Sequence, residues 1–121
     1  MEAGCGIYRD AASLRETCDR LAALRDRFSR LAIDDRSLGF NTDLVAALEL
    51  DFMLDAAEAV AHSALARTES RGSHQRTDFP KRDDARFLKH SLAYRTDGAP
   101  RIDYLDVVIT RWPPAERVYG R

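Results

Sequence analysis

The feature that most constrains the fold is a long stretch without glycine or proline, from Thr42 to Arg67. Alanine, leucine and glutamate dominate this stretch, and all three are strong helix formers. Asn41 or Thr42 can cap its start, and Asp43 lies where the positive end of a helix favours an acidic residue. The sequence therefore predicts one uninterrupted helix roughly 40 Å long.

The predicted long helix is apolar on more than one side. Its apolar residues recur at three- and four-residue steps, and further leucine and valine residues widen the stripe. These residues are Val45, Leu48, Phe52, Ala56, Ala59, Leu44, Leu54 and Val60. A helix with so wide an apolar surface needs neighbours on more than one face. Where one face stays uncovered, an exposed apolar surface favours self-association of the chain.

A second helix is predicted ahead of the long one, from Ser13 to about Ala32. Ser13 and Glu16 have the spacing of a capping box, in which two side chains satisfy backbone N–H groups at the helix start. Apolar residues then recur at helical spacing, with arginine and aspartate between them, which is typical of an amphipathic helix with a solvated charged face. A polar linker, Asp34–Phe40, makes the two helices antiparallel neighbours. Both need a third element to bury their remaining apolar surface.

Beyond the long helix, the pattern changes to charge and turn residues. Gly72 is predicted to stop the helix, with nearby cations placed to meet the carbonyls of its last turn. A short helix is predicted from Asp83 through Lys89. Two alternating segments, Ser91–Arg95 and Arg101–Asp106, then flank a turn with an Asp-Gly pair, which predicts a β-hairpin.

The predicted tail carries large apolar side chains. Val107–Thr110 can prolong the second strand of the hairpin before Pro113 and Pro114 end it. Trp112 lies just before the prolines, and Val118 and Tyr119 lie just after them. These aromatic and apolar residues have two interpretations, either as clamps onto the helices or as contacts to another domain.

Composition limits the function classes. A chain of 121 residues forms one small domain, and 19 Lys+Arg against 20 Asp+Glu give a net charge of −1, which provides no bulk attraction to nucleic acid. No apolar run reaches the roughly 20 residues of a membrane-spanning helix, so we expect no direct membrane insertion. Cys5 and Cys18 are interpreted as reduced thiols, and the three histidines are too dispersed to predict a metal site.

Catalytic motifs are also missing from the sequence. It contains no GxGxxG after a strand, no phosphate-binding loop, no HExxH and no nucleophile elbow. We therefore predict no catalytic, cofactor-binding or metal-binding residue in this chain.

Five segments together carry a specific resemblance. They are GCGIYRD, FNTDLVAALEL, ESRGSHQRTDFPKRDD, FLKHSLAYR and PPAERVYG. In this order they resemble the C-terminal segment of the flavoprotein subunit of fumarate reductase and succinate dehydrogenase, from about Met1 to Gly120. The resemblance implies a mainly α fold, an up-and-down antiparallel helical bundle that is spectrin-repeat-like, with its first helix largely truncated and a small C-terminal β-hairpin. Residues 1–72 would form the bundle, and residues 73–121 would pack on it as part of one domain.

The resemblance also implies a function that lies mostly outside the chain. In that family FAD binds to another domain and mediates fumarate and succinate interconversion, so the isolated chain is expected to be inactive. Implied partners are the flavin-binding and capping domains of the same subunit and an iron–sulfur subunit. The implied location of the parent enzyme is cytoplasmic, peripheral on the cytoplasmic face of the inner membrane. Fumarate reductase is favoured, with succinate dehydrogenase, L-aspartate oxidase or a non-catalytic helical interaction module as alternatives.

The basic loop after the long helix supplies the predicted docking residues. Charge-assisted hydrogen bonds from this loop could fix two domains together. The candidates are Arg71, His74, Arg76, Lys81 and Arg82. A role in capping the helix is the alternative for Arg71.

Overall fold

The computed structural model describes residues 1–115, and helices make up most of its regular secondary structure. The elements are α1 (Glu2–Cys5), β1 (Tyr8–Arg9), α2 (Ala11–Phe28), α3 (Thr42–Ala66), β2 (Gln75–Arg76), α4 (Asp84–Phe87), β3 (Lys89–Tyr94) and β4 (Arg101–Asp106). The mainly helical class with a small C-terminal hairpin is confirmed. Within the described residues, none of the helices has the length and apolar character needed to cross a membrane.

Helix α2 begins earlier than the sequence predicts. Asp10, not Ser13, is the N-cap, and its carboxylate accepts hydrogen bonds from the N–H groups of Ala12 and Ser13 at 2.8 and 2.9 Å. Ser13 is the third helical residue, and its hydroxyl accepts the N–H of Asp10 at 3.2 Å. A capping box is therefore present, but its register is three residues upstream of the predicted Ser13-to-Glu16 box. The helix ends at Phe28 instead of Ala32.

Helix α3 confirms the long uninterrupted helix, with 25 residues and Asn41 as its N-cap. The predicted stop at Gly72 is wrong, because the helix ends at Ala66 and Arg67 is already extended. Gly72 instead occupies a turn at a φ of 58°, a left-handed conformation that glycine adopts without steric cost. Gly72 therefore marks a turn within the loop and not the end of the helix.

The core lies between antiparallel α2 and α3. Its central members are Cys18, Leu21, Leu54 and Ala61, all buried. At the edge of the same interface, Arg25 of α2 donates to the carboxylates of three acidic residues of α3. These residues are Asp51, Asp55 and Glu58. The ion pairs fix the register of the two helices where apolar contacts give way to solvent.

The N-terminal turn packs tightly onto α2. A Cβ at Gly4 would lie 2.0 Å from the hydroxyl oxygen of Thr17, so no larger residue fits there without movement. The weak helix-forming tendency of Gly4 is thus offset by close packing. Strand β1 then pairs in parallel with β2, placing Arg9 beside Arg76 and bringing the start of the chain against the loop after α3.

One face of α3 is left uncovered by the rest of residues 1–115. Phe52 is 68% exposed. Five other exposed large apolar residues lie toward this side of the helix, Leu44, Val45, Leu48, Met53 and Val60, whereas the exposed Leu50 lies on a different side. Helix α2 covers only part of the apolar surface of α3, so this surface is available to another polypeptide. We call it the α3 apolar face.

The hairpin is confirmed with small shifts of its bounds. Strands β3 and β4 are antiparallel, and the first strand begins at Lys89 instead of Ser91. The short helix α4 correspondingly ends at Phe87, with Asp83 as its N-cap, so Lys89 is a strand residue. The predicted extension of β4 through residues 107–110 is wrong, since β4 ends at Asp106.

The tail is only partly described. Trp112 is 76% exposed and contacts the guanidinium of Arg111, so it does not clamp onto the helices within residues 1–115. Val118 and Tyr119 lie outside the described residues.

Candidate functional site: a buried ionic loop

The segment that runs from the end of α3 to the first residue of α4, residues 67–84, holds an unusual concentration of buried charge. We call it the ionic loop. Glu69 is 0% exposed, Arg76 is 2% exposed, and Ser70 is buried between them. Buried charges are costly unless they are paired and hydrogen-bonded, so each of them should have a specific partner.

Glu69 accepts hydrogen bonds from both sides of the loop. Its carboxylate receives Arg67 Nη1 at 2.5 Å, Arg71 Nε at 2.9 Å and the backbone N–H of Asp83 at 2.7 Å. Burial alone raises the pKa of Glu69, but the hydrogen bonds from Arg71, Asp83 and Arg67 outweigh it and lower the pKa. Glu69 therefore joins the start of the ionic loop, through Arg67 and Arg71, to its end, through the N–H of Asp83.

Arg67 connects the ionic loop to the hairpin. Its Nη1 donates to the carbonyl of Phe87 at 2.7 Å, and its Nη2 donates to the carbonyl of Lys89 at 2.7 Å and to Ser91 Oγ at 3.1 Å. The guanidinium carbon also lies 5.4 Å from the centre of the Phe87 ring, within cation–π range. One side chain thereby holds α3, α4 and β3 together.

Arg76 caps the C-terminus of α3. Its Nη1 donates to the carbonyls of Ala64, Leu65 and Arg67 at 3.2, 3.3 and 3.1 Å. Its Nε and Nη2 each lie 2.7 Å from an oxygen of Asp78, a fork-to-fork pair. A cation does meet the carbonyls of the last helical turn, as the sequence predicted, but it comes from the far side of the loop.

Ser70 fixes the turn that returns Arg76 to the helix end. Its hydroxyl oxygen accepts the N–H of Arg76 at 2.8 Å and donates to the carbonyl of Phe79 at 2.8 Å. Arg71 and His74 form a backbone bridge across Gly72. These contacts satisfy the buried backbone without regular secondary structure.

His74 lies under this turn and stays close to the arginines. Its Nε2 donates to the carbonyl of Arg67 at 3.2 Å, which assigns the proton to that nitrogen. Burial lowers the pKa of His74, and the charges of Arg9, Arg76 and Arg67 lower it further. The imidazole is therefore neutral near pH 7.

The structure separates the five predicted docking residues into two groups. Arg71, His74 and Arg76 are brought together, with their side chains engaged inside the chain. Lys81 and Arg82 lie on the exposed side of the ionic loop, where Arg82 Nη2 is 2.9 Å from Asp84. Arg71 pairs with Asp84 as well as Glu69, so it links both groups.

Sequence reasoning missed Arg67, Glu69 and Asp78, which are the key partners in this loop. The available signal was the interleaving of acids with arginines across residues 67–84. Each buried cation has a carboxylate within the same segment. A buried arginine needs a carboxylate partner. Applied to a loop that packs against the helix end, this rule would have identified the acidic residues of the segment as its partners.

Asp78 gives the ionic loop a testable dependence on pH. The hydrogen bond from Arg76 lowers the pKa of Asp78 from 3.8 to about 2 in the folded chain. A carboxylate with a depressed folded pKa contributes stability above its unfolded pKa and loses it as pH falls through the folded value. We therefore expect Asp78→Asn to lower the melting temperature at pH 7 and to flatten its decline between about pH 4 and pH 2. Asp19→Asn, on the exposed face of α2, should leave the decline unchanged; equal curves for both variants would contradict the assignment.

The chemistry of the ionic loop is that of a cross-link between elements. Its arginines donate to carboxylates and backbone carbonyls within the chain, and His74 donates to a carbonyl. No cluster of three potential metal-ligating side chains occurs among residues 1–115. The side chains are arranged to hold α3, α4 and the hairpin in one fixed geometry.

Fold and loop together define a mainly helical domain, with an ionic cross-link at one end and an uncovered apolar face on its longest helix. The family model described as the C-terminal part of the fumarate reductase flavoprotein matches residues 1–119, and the chain belongs to this family. The chain is 55% identical over its whole length to the fumarate reductase flavoprotein subunit of Mycobacterium tuberculosis and spans 21% of that relative.

Two further comparisons agree with the family. A solved structure of an E. coli quinol fumarate reductase variant superimposes with a TM-score of 0.93 at 54% identity, covering 98% of this chain and 21% of that one. The succinate dehydrogenase flavoprotein subunit of Rickettsia felis is 39% identical over 98% of the chain, which is 21% of that relative. The chain thus corresponds to about a fifth of the length of these relatives.

Proposed function

We propose that this chain serves as the docking domain of a fumarate reductase flavoprotein subunit. In this proposal, FAD and the site that reduces fumarate to succinate lie in other parts of the subunit, and the isolated chain is inactive. The family match along residues 1–119 supports the proposal. Identity to fumarate reductase subunits, at 55%, exceeds the 39% to a succinate dehydrogenase subunit, which favours fumarate as the substrate over succinate.

The observation that carries the docking role is the α3 apolar face. A helix surface with Phe52 68% exposed and five further large apolar side chains around it is unfavourable in water. Contacts between domains of one chain commonly bury about 600–1,500 Å². We propose that the flavin-binding and capping domains of the same subunit cover this face, and that residues 1–72 and 73–121 dock as one unit.

The ionic loop plays a second part in this proposal. The buried Arg76 and the half-buried His74 donate to the carbonyl of Arg67 and keep the end of α3 rigid. Arg71, Lys81 and Arg82 are proposed to contact neighbouring domains at the rim of the interface. An iron–sulfur subunit and a peripheral position on the cytoplasmic face of the inner membrane are proposed for the whole enzyme. Two of the similar solved structures are quinol fumarate reductases, which supports an assembly of this kind.

The proposal is tested in the full-length subunit, with the 121-residue chain beside it. We expect flavin absorbance and fumarate reduction with an artificial electron donor only in the full-length protein. Phe52→Glu should reduce flavin retention and activity there, because a charge would be buried in the interface. In the 121-residue chain the same substitution should leave the melting temperature unchanged, since Phe52 is solvent-exposed.

Leu38→Glu is the matched control. Leu38 is exposed as well, but it lies in the linker between α2 and α3, away from the α3 apolar face. It should behave like the unmodified subunit in every measurement. Absence of flavin from the full-length protein would refute the enzymatic role, and equal effects of the two variants would refute docking through the α3 apolar face.

A further inference from the structure

An open pocket of about 430 Å³ lies beside the C-terminal end of α3. Arg9 of β1, Arg67 and His74 line one side, and Ser63 and Ser91 supply hydroxyl groups. Alanine and valine residues of α3 complete the wall. We call this the Arg9 pocket. It combines positive charge with small apolar surface, and none of its lining residues is acidic.

Arg9 is the incompletely paired member of the arginine group. Its Nε is buried and has no hydrogen-bond partner among the described residues. Its Nη1 donates only to Cys5 Sγ at 3.6 Å, a weak acceptor. By contrast, Arg67 pairs with Glu69 and Arg76 pairs with Asp78. Arg9 has no carboxylate partner among residues 1–115, so an anion that enters the pocket would meet a positive charge that is not already paired.

The neutral imidazole of His74 does not compete for that anion. Its Nε2 proton is already donated to the carbonyl of Arg67. Glu69 and Asp78, which belong to the same loop as Arg67 and His74, are held by their own arginines. The charge of Arg9 is therefore the one in this pocket that lacks a counter-charge within residues 1–115.

The Arg9 pocket continues the α3 apolar face toward the C-terminus of the helix. Leu48, Phe52, Ala59 and Ser63 follow one another along α3 at steps of four and seven residues, which keeps them on one side. Val60 is 52% exposed and lines the pocket. A polypeptide that covers the apolar face will therefore also reach the pocket.

We propose that the Arg9 pocket receives an aspartate or glutamate side chain from the polypeptide that covers the α3 apolar face. The carboxylate accepts hydrogen bonds from the Arg9 guanidinium and from the adjacent serine hydroxyls. This inference rests on the proposed docking function and adds the chemistry of one contact. Docking shields the ion pair between Arg9 and this carboxylate from water. The pair therefore favours one relative position of this chain and the covering polypeptide over others.

Zero-length cross-linking of the full-length subunit tests this contact. Arg9→Lys places an amine in the pocket, and a carbodiimide joins an amine to a carboxylate in direct contact. We expect a cross-link from position 9 to an aspartate or glutamate outside residues 1–121, identified by mass spectrometry. Arg15→Lys, on the exposed side of α2, is the matched control and should give no such cross-link.

A second measurement needs no substitution. Phenylglyoxal modifies accessible guanidinium groups, and Arg9 should react several-fold more slowly in the full-length subunit than in the 121-residue chain, whereas the exposed Arg15 should react alike in both. Added 1 M salt should reduce this protection if a charge pair causes it. A parallel sample of each experiment contains acetate. If Arg9 is protected from phenylglyoxal only when acetate is present, or if the carbodiimide attaches acetate to the amine of Arg9→Lys, then the pocket binds a free carboxylate. Either result would overturn the side-chain occupant. Equal reactivity of Arg9 in the full-length subunit and in the 121-residue chain would also overturn it.

The flavin absorbance of the same sample separates the two proposals. Bound flavin together with a reactive Arg9 refutes the pocket contact and leaves the docking function intact. Loss of flavin on Phe52→Glu, with Arg9 still protected, refutes the idea that one polypeptide covers both the apolar face and the pocket.

Discussion

Replacing Glu69 by glutamine is expected to destabilise the folded chain by about 3–5 kcal/mol, the usual cost of breaking a buried ion pair from one side. Glu69 is 0% exposed and accepts hydrogen bonds from Arg67, Arg71 and the N–H of Asp83. Glutamine has nearly the same shape, but its amide carries no charge and offers only one acceptor oxygen. Arg67 would lose its carboxylate partner and Arg71 would keep only Asp84, while the buried position 69 would hold a neutral group.

The measurement is chemical unfolding of the 121-residue chain at neutral pH, followed by circular dichroism. Asp84→Asn is the matched control, because Asp84 also pairs with Arg71 but its side chain is 36% exposed. Partly exposed ion pairs contribute about 0–1 kcal/mol, so this variant should lose little stability. Equal losses for the two variants would show that burial of Glu69 does not set its contribution.

The effect of Glu69→Gln should also extend to the hairpin. Arg67 holds the carbonyls of Phe87 and Lys89 while it pairs with Glu69. Without that carboxylate, the guanidinium is less firmly placed. We expect faster amide hydrogen exchange in β3 of the variant than in α2, because α2 packs through apolar contacts that the substitution does not touch.

Local sequence signals predicted those parts of the fold that depend on neighbouring residues. The absence of glycine and proline predicted α3, and the Asp-Gly turn predicted the hairpin, because both are decided by backbone preferences within a few residues. The start of α2 was placed three residues late because Asp10 and Ser13 are both good capping residues. Tertiary contact selected Asp10, since Asp78 accepts the N–H of Ala11 and fixes the helix start.

The end of α3 shows where local reasoning fails. Gly72 is a reasonable helix stop, yet the helix ends at Ala66 because Arg76 binds the carbonyls there. That contact joins residues that are 12 positions apart in the sequence. The contact between Arg76 and the helix end depends on the turn at Gly72 and on the hydrogen bonds of Ser70. Neither feature produces a periodic pattern in the sequence. The sequence predicted that the loop carries cations for a helix end, but it could not predict which cation reaches it.

The same limit applies to the docking residues. Charge density pointed to Arg71, His74, Arg76, Lys81 and Arg82, but it does not distinguish a cation that faces solvent from one that is used internally. Burial makes that distinction. The docking role of these residues stays a prediction. The wide apolar stripe on α3 predicted a need for neighbours on more than one face, and residues 1–115 leave one of those faces uncovered.

Replacing Arg76 by leucine is expected to cost about 3 kcal/mol of stability. Arg76 is 2% exposed, and its guanidinium serves two tasks at once. It donates to the carbonyls of Ala64, Leu65 and Arg67, and it pairs with both oxygens of Asp78. Leucine fills part of the volume, but it leaves the helix carbonyls without a donor and Asp78 without a cation.

The comparison that isolates the cause uses three further variants in urea unfolding. Arg20→Leu removes an exposed arginine of α2 and should change stability by less than about 0.5 kcal/mol. Arg76→Lys keeps the charge but not the planar fork, so it should still lose more than the Arg20 control. Asp78→Asn in the Arg76→Leu background should cost less than in the unmodified chain, because the pair is already broken.

A loss below about 1 kcal/mol for Arg76→Leu would mean that apolar packing compensates for the buried pair, as it does when whole ionic networks are replaced. That outcome would mean that Arg76 selects one conformation of the end of α3 without adding to the free energy of unfolding. In the Arg76→Leu variant this helix end could then adopt more than one conformation, and the α3 apolar face would no longer have one fixed position relative to the ionic loop. Amide exchange at Ala64 and Leu65 separates these cases, since a helix end that frays exchanges faster even where overall stability is unchanged.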